Sequence, residues 1–79
     1  MAWSDEPTDM QLGIIYSWLV WKVDRETAKD AVKWLETSAT RKDVSVEMNR
    51  LKILKDEHKL TEENCFDSEI WEGFKNDRS

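Results

Sequence analysis

The chain has little of what several protein classes depend on. Its 79 residues include one cysteine, one proline, two glycines and one histidine. A lone cysteine excludes an internal disulfide, and so few turn residues argue against an all-β fold. A single histidine also restricts acid–base catalysis near neutral pH. The sequence therefore predicts neither a disulfide-stabilised nor a β-rich protein.

Signatures of catalysis and cofactor binding are also missing. No serine or cysteine groups with a histidine and a carboxylate, and no glycine-rich phosphate loop is present. His58, Cys65 and Asp67 lack the paired spacing of zinc ligands, and His58 falls on an apolar stripe, where a partly buried structural histidine is expected. The carboxylates around Cys65 disfavour a thiolate. We expect no catalytic residue, no metal and no cofactor.

Helix-forming residues and charge are plentiful. The chain carries 12 Lys and Arg against 17 Asp and Glu, for a net charge of −5. Its size fits one domain, residues 1–79, with flexible ends at 1–7 and 76–79. The longest apolar run is too short to cross a bilayer and no signal peptide is apparent. We expect a cytoplasmic protein with no membrane contact.

Capping residues predict an all-α bundle of three main helices plus a short C-terminal helix. Thr8 with Gln11, Asp24, and Thr40 with Asp43 have the identity and spacing of helix N-caps. Ser68 is a further candidate cap. The predicted helices cover about 9–23, 25–38 and 41–59, with the short helix after residue 68.

Apolar periodicity predicts how these helices pack. The first helix is apolar on nearly all sides, so we expect it to be central, with Trp18 and Trp21 in the core. The third helix has a main apolar stripe and, on nearly the opposite side, a second one made of Val46, Ile53 and Leu60. This second stripe needs a cover, either the C-terminal segment or another copy of the chain. Homo-oligomerisation through it is one hypothesis.

The five tryptophans suggest a docking surface, because tryptophan is enriched in the clusters that dominate protein–protein affinity. Aromatic residues near the ends of a small chain also often close over its core, and both interpretations stay open. Residues 61–79 are acidic, and we expect the last helix to add little to the core. The predicted protein-binding residues are Trp3, Trp34, Glu69, Trp71, Glu72 and Phe74.

The leading hypothesis is therefore a non-enzymatic interaction protein that binds a larger protein through an acidic, aromatic surface. Such a surface suits a basic nucleic-acid-binding groove, where carboxylates take the place of phosphates. Small acidic inhibitors from phages and mobile elements, including anti-CRISPR proteins, work this way, and the analogy rests on size and charge. It implies a phage-infected bacterial host.

The alternative is a helix-turn-helix-like DNA-binding protein that contacts DNA through residues 40–60. That segment holds six Lys and Arg against four Asp and Glu. Glu47, Asp56 and Glu57 interrupt its basic face, and the net charge opposes general attraction to nucleic acid. The residues predicted to contact phosphates in this alternative are Arg41, Lys52, Lys55 and Lys59.

Overall fold

The computed structural model describes residues 5–78, and throughout that range the regular elements are helical. They are α1 (Asp9–Leu19), α2 (Arg25–Ser38), α3 (Arg41–Asp56) and α4 (Glu72–Arg78), with 3₁₀ turns at Asn64–Phe66 and Glu69–Trp71 between α3 and α4. The predicted fold class, three main helices plus a short C-terminal helix, is confirmed.

The three main helices begin at the predicted caps. Thr8 Oγ1 accepts a hydrogen bond from the Gln11 backbone N–H at 3.1 Å, and the Gln11 side chain accepts one from Thr8 N–H at 3.0 Å. Thr40 and Asp43 form the same reciprocal box, and the side chain of Asp24 caps α2. Local hydrogen bonding by short polar side chains thus fixes the starts of all three helices.

α1 ends earlier than its apolar run suggests. It stops at Leu19, and residues 20–22 form a turn before the cap at Asp24. Trp21 lies in this turn with 82% of its surface exposed, and Met10 at the other end of α1 is 76% exposed. The prediction that Trp21 lies in the core is wrong, because the turn that starts α2 directs it away from the bundle. Trp18 is half-buried against the core.

α3 also ends early, through a left-handed residue. His58 has a φ of 58° and donates its N–H to Lys55 O at 3.1 Å, while Lys59 donates to Leu54 O at 2.8 Å. These two bonds form a Schellman motif, which satisfies the last carbonyls of a helix. His58 is exposed instead of partly buried, and Leu60 turns back into the core. The stripe of Val46, Ile53 and Leu60 is therefore broken.

The core lies where α1 packs against both α2 and α3, as its predicted central position requires. Residues 61–78 contribute three of the buried apolar residues, and two of them, Trp71 and Phe74, come from the region predicted as the last helix, so the expectation that this helix adds little to the core is wrong. The buried apolar residues are Leu12, Ile15, Leu19, Ala28, Ala31, Leu35, Val44, Leu51, Leu60, Cys65, Trp71 and Phe74.

Aromatic rings join the C-terminal segment to α2. The ring of Trp71 lies 5.0 Å from that of Phe66, 5.7 Å from that of Phe74 and 6.1 Å from that of Trp34, between ring centroids. These separations are those of favourable aromatic pairs. Half-buried Trp34 thus forms one wall of an aromatic cluster whose centre, Trp71, is fully buried.

The ends of the described range are tied to the bundle. The backbone carbonyls of Asp5 and Glu6 accept hydrogen bonds from the backbone N–H and the guanidinium of Arg41, and Pro7 is buried. At the other end, residues 76–78 belong to α4. Among the described residues, none of the helices has both the length and the apolar character needed to span a membrane.

Candidate protein-binding site

A buried carboxylate holds the C-terminal segment on α3. Glu47 is 2% exposed, and its two oxygens accept four hydrogen bonds. Arg50 Nε at 2.9 Å and Ser68 Oγ at 2.8 Å donate to Oε1, while Arg50 Nη2 at 2.6 Å and Trp71 Nε1 at 2.5 Å donate to Oε2. A buried carboxylate needs this number of donors to offset its lost hydration.

Arg50 extends the same network into the chain beyond α3. Its Nη1 donates to Asn64 O at 2.9 Å, and its Nη2 also donates to Cys65 O at 2.8 Å. The hydrogen bond to Glu47 is the main cause that raises the pKa of Arg50 above its usual value. Within residues 5–78, no buried side-chain nitrogen or oxygen lacks a partner. The network is satisfied internally and offers no group to a ligand.

Cys65 is a buried free cysteine, whereas His58 is exposed. Burial raises the pKa of the Cys65 thiol to about 11, with smaller contributions from Glu62 and Glu47 that are opposed by Arg50. Burial, more than the neighbouring carboxylates, thus disfavours the thiolate. Over the described part of the chain, no three His, Cys, Asp or Glu side chains are grouped so as to hold a metal ion.

The C-terminal ends of α1 and α3 enclose an open surface pocket of about 600 Å³, which we call the tryptophan pocket. The turn after α1 supplies one wall, and the Schellman turn after α3 supplies the other. Its lining residues are Ser17, Trp18, Trp21, Lys22, Lys55, His58 and Leu60.

The tryptophan pocket combines exposed aromatic surface with positive charge. Lys55 Nζ lies 5.8 Å from the centre of the Trp18 ring, within the range of a cation–π contact. Trp21 and Lys22 flank this pair on the exposed turn. None of the pocket's described lining residues is a carboxylate, although Asp56 lies beside it, 3.6 Å from Lys55 Nζ. The pocket suits a ligand with both an apolar and an anionic part.

A shallower groove of about 480 Å³ continues from the tryptophan pocket along α1 and α3, with Trp18 shared between the two. Carboxylates are again missing from the described residues that line it. The lining residues of the groove are Gln11, Trp18, Lys42, Ser45, Val46, Met48, Asn49 and Lys52. An acidic protein thus carries one lysine-bearing face that runs from residue 42 to residue 55.

Five of the six residues predicted to bind a protein lie in the described chain, and three of them meet in the aromatic cluster: Trp34, Trp71 and Phe74. Trp71 is fully buried, and Phe74 is 4% exposed and lines a shallow surface pocket of about 420 Å³ beside Trp34. Their burial follows from the Glu47 hydrogen bond and the aromatic cluster. Glu69 and Glu72 are exposed and Trp34 is half-buried, while Trp3 lies outside the described residues.

The basic residues of the DNA-binding alternative are all exposed and differ in their surroundings. Lys52 lines the groove and Lys55 the tryptophan pocket. Arg41 is bound to the backbone of residues 5–6, and Lys59 Nζ lies 3.5 Å from Glu57. Glu47, expected to interrupt this face, instead points into the core.

Sequence reasoning missed Trp21 and Lys22 as site residues. The signal that identifies them is the cap at Asp24, because a helix that begins there leaves room for only a short turn after α1. Residues in such a turn cannot follow the helical wheel of α1. The chain matches no protein-family model, no curated protein and no solved structure.

Proposed function

We propose that the protein is a non-enzymatic interaction protein whose tryptophan pocket binds a segment of a larger protein. The segment would present an apolar side chain flanked by carboxylates. The observation that carries this proposal is Trp21, which is 82% exposed beside Lys22 and Lys55 in a pocket without a carboxylate among its described lining.

Energetics favour an occupant for this pocket. An indole that leaves water on binding removes about 150–250 Å² of apolar surface, and tryptophan is prominent among the residues whose truncation costs most affinity. Lys22 and Lys55 at its edge would steer and orient an acidic segment. The two effects act together, because the indole supplies affinity and the ammonium groups supply the choice of partner.

The wider surface favours a protein over a nucleic acid. Exposed aliphatic side chains, Val20 beside the pocket and Val46 along the groove, can be buried by a protein but contribute little to contacts with phosphates. The net charge of −5 also opposes a polyanion as a whole, while a short acidic segment meets only the local lysines.

The proposal keeps a larger protein as the partner, but the bound part of that partner is acidic where the sequence suggested a basic groove, and a different surface of this chain binds it. Glu69 and Glu72 remain exposed, but the aromatic residues expected to anchor an acidic surface, Trp71 and Phe74, are buried. Inhibition by mimicry of nucleic acid, in the manner of a phage or mobile-element protein, stays a prediction from size and charge. The absence of enzymatic activity stays a prediction as well.

The test is selection from a display library of random 12-residue peptides on the immobilised chain. We expect the enriched peptides to share one large apolar residue flanked by Asp or Glu. Synthetic versions should lose at least tenfold in affinity for Trp21→Ala and for the double reversal Lys22→Glu with Lys55→Glu, measured by fluorescence anisotropy.

The matched control is the double reversal Lys29→Glu with Lys33→Glu on the exposed side of α2, which should leave affinity unchanged. Enriched peptides that are basic, or that bind Trp21→Ala as tightly as the parent chain, would contradict the proposal. If a labelled 20-nucleotide oligothymidine bound more tightly than the peptides and with a steep salt dependence, the partner would be single-stranded nucleic acid and not a protein.

A further inference from the structure

The exposed face of α3 carries a second surface, which lies outside the tryptophan pocket but shares Lys42, Val46 and Asn49 with the groove. Val46 is 65% and Ile53 is 52% exposed, one above the other and two turns apart. Lys42, Asn49 and Asp56 lie on the same face, so that successive residues of this surface are alternately four and three positions apart. This is the spacing of the residues that meet between two packed helices. The α3 seam consists of Lys42, Val46, Asn49, Ile53 and Asp56, all of them exposed.

The α3 seam is complementary to itself in one orientation. If two copies of α3 pack antiparallel about a twofold axis near Asn49, Val46 of each copy lies opposite Ile53 of the other. The same pairing sets Lys42 opposite Asp56, and Asn49 opposite its own symmetry mate. In a parallel pairing, Lys42 would meet Lys42 and Asp56 would meet Asp56.

We propose that the α3 seam binds a second copy of this chain as an antiparallel, twofold-symmetric helix pair. The interface places two Val46–Ile53 contacts around a central pair of Asn49 side chains, with a Lys42–Asp56 ion pair at each end. Self-association by this route does not involve Leu60, which is buried within its own chain.

The charges around the seam are compatible with this pairing. Asp56 lies 3.6 Å from Lys55 of its own chain, and both are exposed, so this weak ion pair can yield to Lys42 of the second copy. Arg50 is held by Glu47 and stays out of the seam. On the side of the seam away from Lys55, Asp43 of one copy would lie near Glu57 of the other. Lys59, whose Nζ lies 3.5 Å from Glu57, reduces the repulsion between these two carboxylates.

The size of the seam implies a weak dimer. α3 has 16 residues, so two copies overlap over about 24 Å, and a single helix pair of that length lies at the low end of specific interfaces. We therefore expect dimerisation at tens to hundreds of micromolar, which is on the order of the affinities of small transient interfaces.

The test is sedimentation velocity of the full chain from about 10 to 500 μM, a range chosen to bracket weak association. Ile53→Glu should abolish the dimer, and Met10→Glu, at a still more exposed apolar position on α1, should not change it. Circular dichroism of both variants should match the parent chain. A chain that stays monomeric up to 500 μM, or a dimer that Ile53→Glu does not dissociate, would overturn the proposal.

Charge exchange then tests the orientation. Lys42→Glu and Asp56→Lys should each weaken the dimer about tenfold, because each turns two attractions into two repulsions. Combining them should restore the parent affinity, since the ion pairs re-form with reversed sign. Failure of the double variant to recover would rule out the antiparallel arrangement.

Discussion

The indole nitrogen of Trp71 lies 2.5 Å from Oε2 of Glu47, so a tryptophan in the last quarter of the chain donates to a carboxylate in the middle of α3. Both side chains are buried. This contact connects a polar network to the aromatic cluster and explains why the C-terminal segment belongs to the core. We therefore expect the free energy of unfolding to be sensitive to substitution of Glu47.

Removal of that carboxylate is the first prediction. Glu47→Ala should cost about 3–5 kcal/mol, because it leaves the half-buried positive charge of Arg50 without its ion-pair partner and the buried Trp71 N–H without an acceptor. Trp71→Phe should cost about 1–3 kcal/mol through the lost hydrogen bond, plus the change in packing volume. Urea denaturation followed by circular dichroism measures both, and a loss below about 0.5 kcal/mol for Glu47→Ala would contradict the assignment.

The second prediction concerns the apolar core. Leu19 on α1 and Leu51 on α3 are both fully buried. Truncation of either to alanine should cost about 2–5 kcal/mol. Trp21→Ala provides the control, because an exposed residue away from special contacts changes stability by no more than about 0.5 kcal/mol. Comparable losses for Trp21→Ala and Leu19→Ala in thermal unfolding would mean that the turn after α1 is wrongly placed.

The third prediction contrasts two helical glycines. A Cβ at Gly13 would meet nothing within 4 Å, whereas one at Gly73 would lie 2.9 Å from the Trp34 ring. Gly13→Ala should therefore stabilise the chain by about 0.5–1 kcal/mol, the intrinsic preference of a helix for alanine. Gly73→Ala should destabilise it, because the half-buried ring must move. Urea midpoints that shift in the same direction for both variants would disprove this contrast.

The fourth prediction concerns Cys65 and pH. Its pKa is about 11 in the folded chain, against an ordinary value of 9.0. The unfolded chain therefore loses the thiol proton first, and this group lowers the free energy of unfolding as pH rises from about 9 to about 11. At pH 8 the thiol should react with an aromatic disulfide reagent much more slowly in the folded chain than in urea. Cys65→Ala should remove this part of the pH dependence, and equal reaction rates in both states would show that the thiol is accessible.

The helix starts could be predicted from the sequence because they depend on neighbours three residues apart. Thr8, Asp24 and Thr40 each make the hydrogen bonds that their spacing predicts. The exact helix ends could not, because neither α1 nor α3 stops at a glycine or proline, and the cap at Asp24 indicates only that α1 ends somewhere before it. The left-handed residue that ends α3 is a histidine, which rarely takes this role, and no short-range pattern marks it.

The candidate site and the buried network could likewise be predicted only where they depend on residues close together in the sequence. Glu47 lies three residues after Val44 and four before Leu51, so its place on the buried stripe is visible in the sequence. Its hydrogen-bond partners Ser68 and Trp71 are not visible in the sequence, because they reach Glu47 only through the path that the chain takes after His58. The exposure of Trp21 and the burial of Trp71 likewise depend on where turns direct the backbone, which periodicity alone does not contain.

The separation of 24 residues between Glu47 and Trp71 has a consequence for synthesis and for shortened chains. A ribosome completes α3 before it adds the indole that donates to its carboxylate, so Glu47 stays hydrated and incompletely bonded until Trp71 is available. Final closure of the core therefore waits for residue 71. A stop codon before position 71 would give a product that contains the sequences of the three main helices but lacks the indole that covers Glu47. Water would then reach the core at Glu47, and we expect cellular proteases to degrade this product.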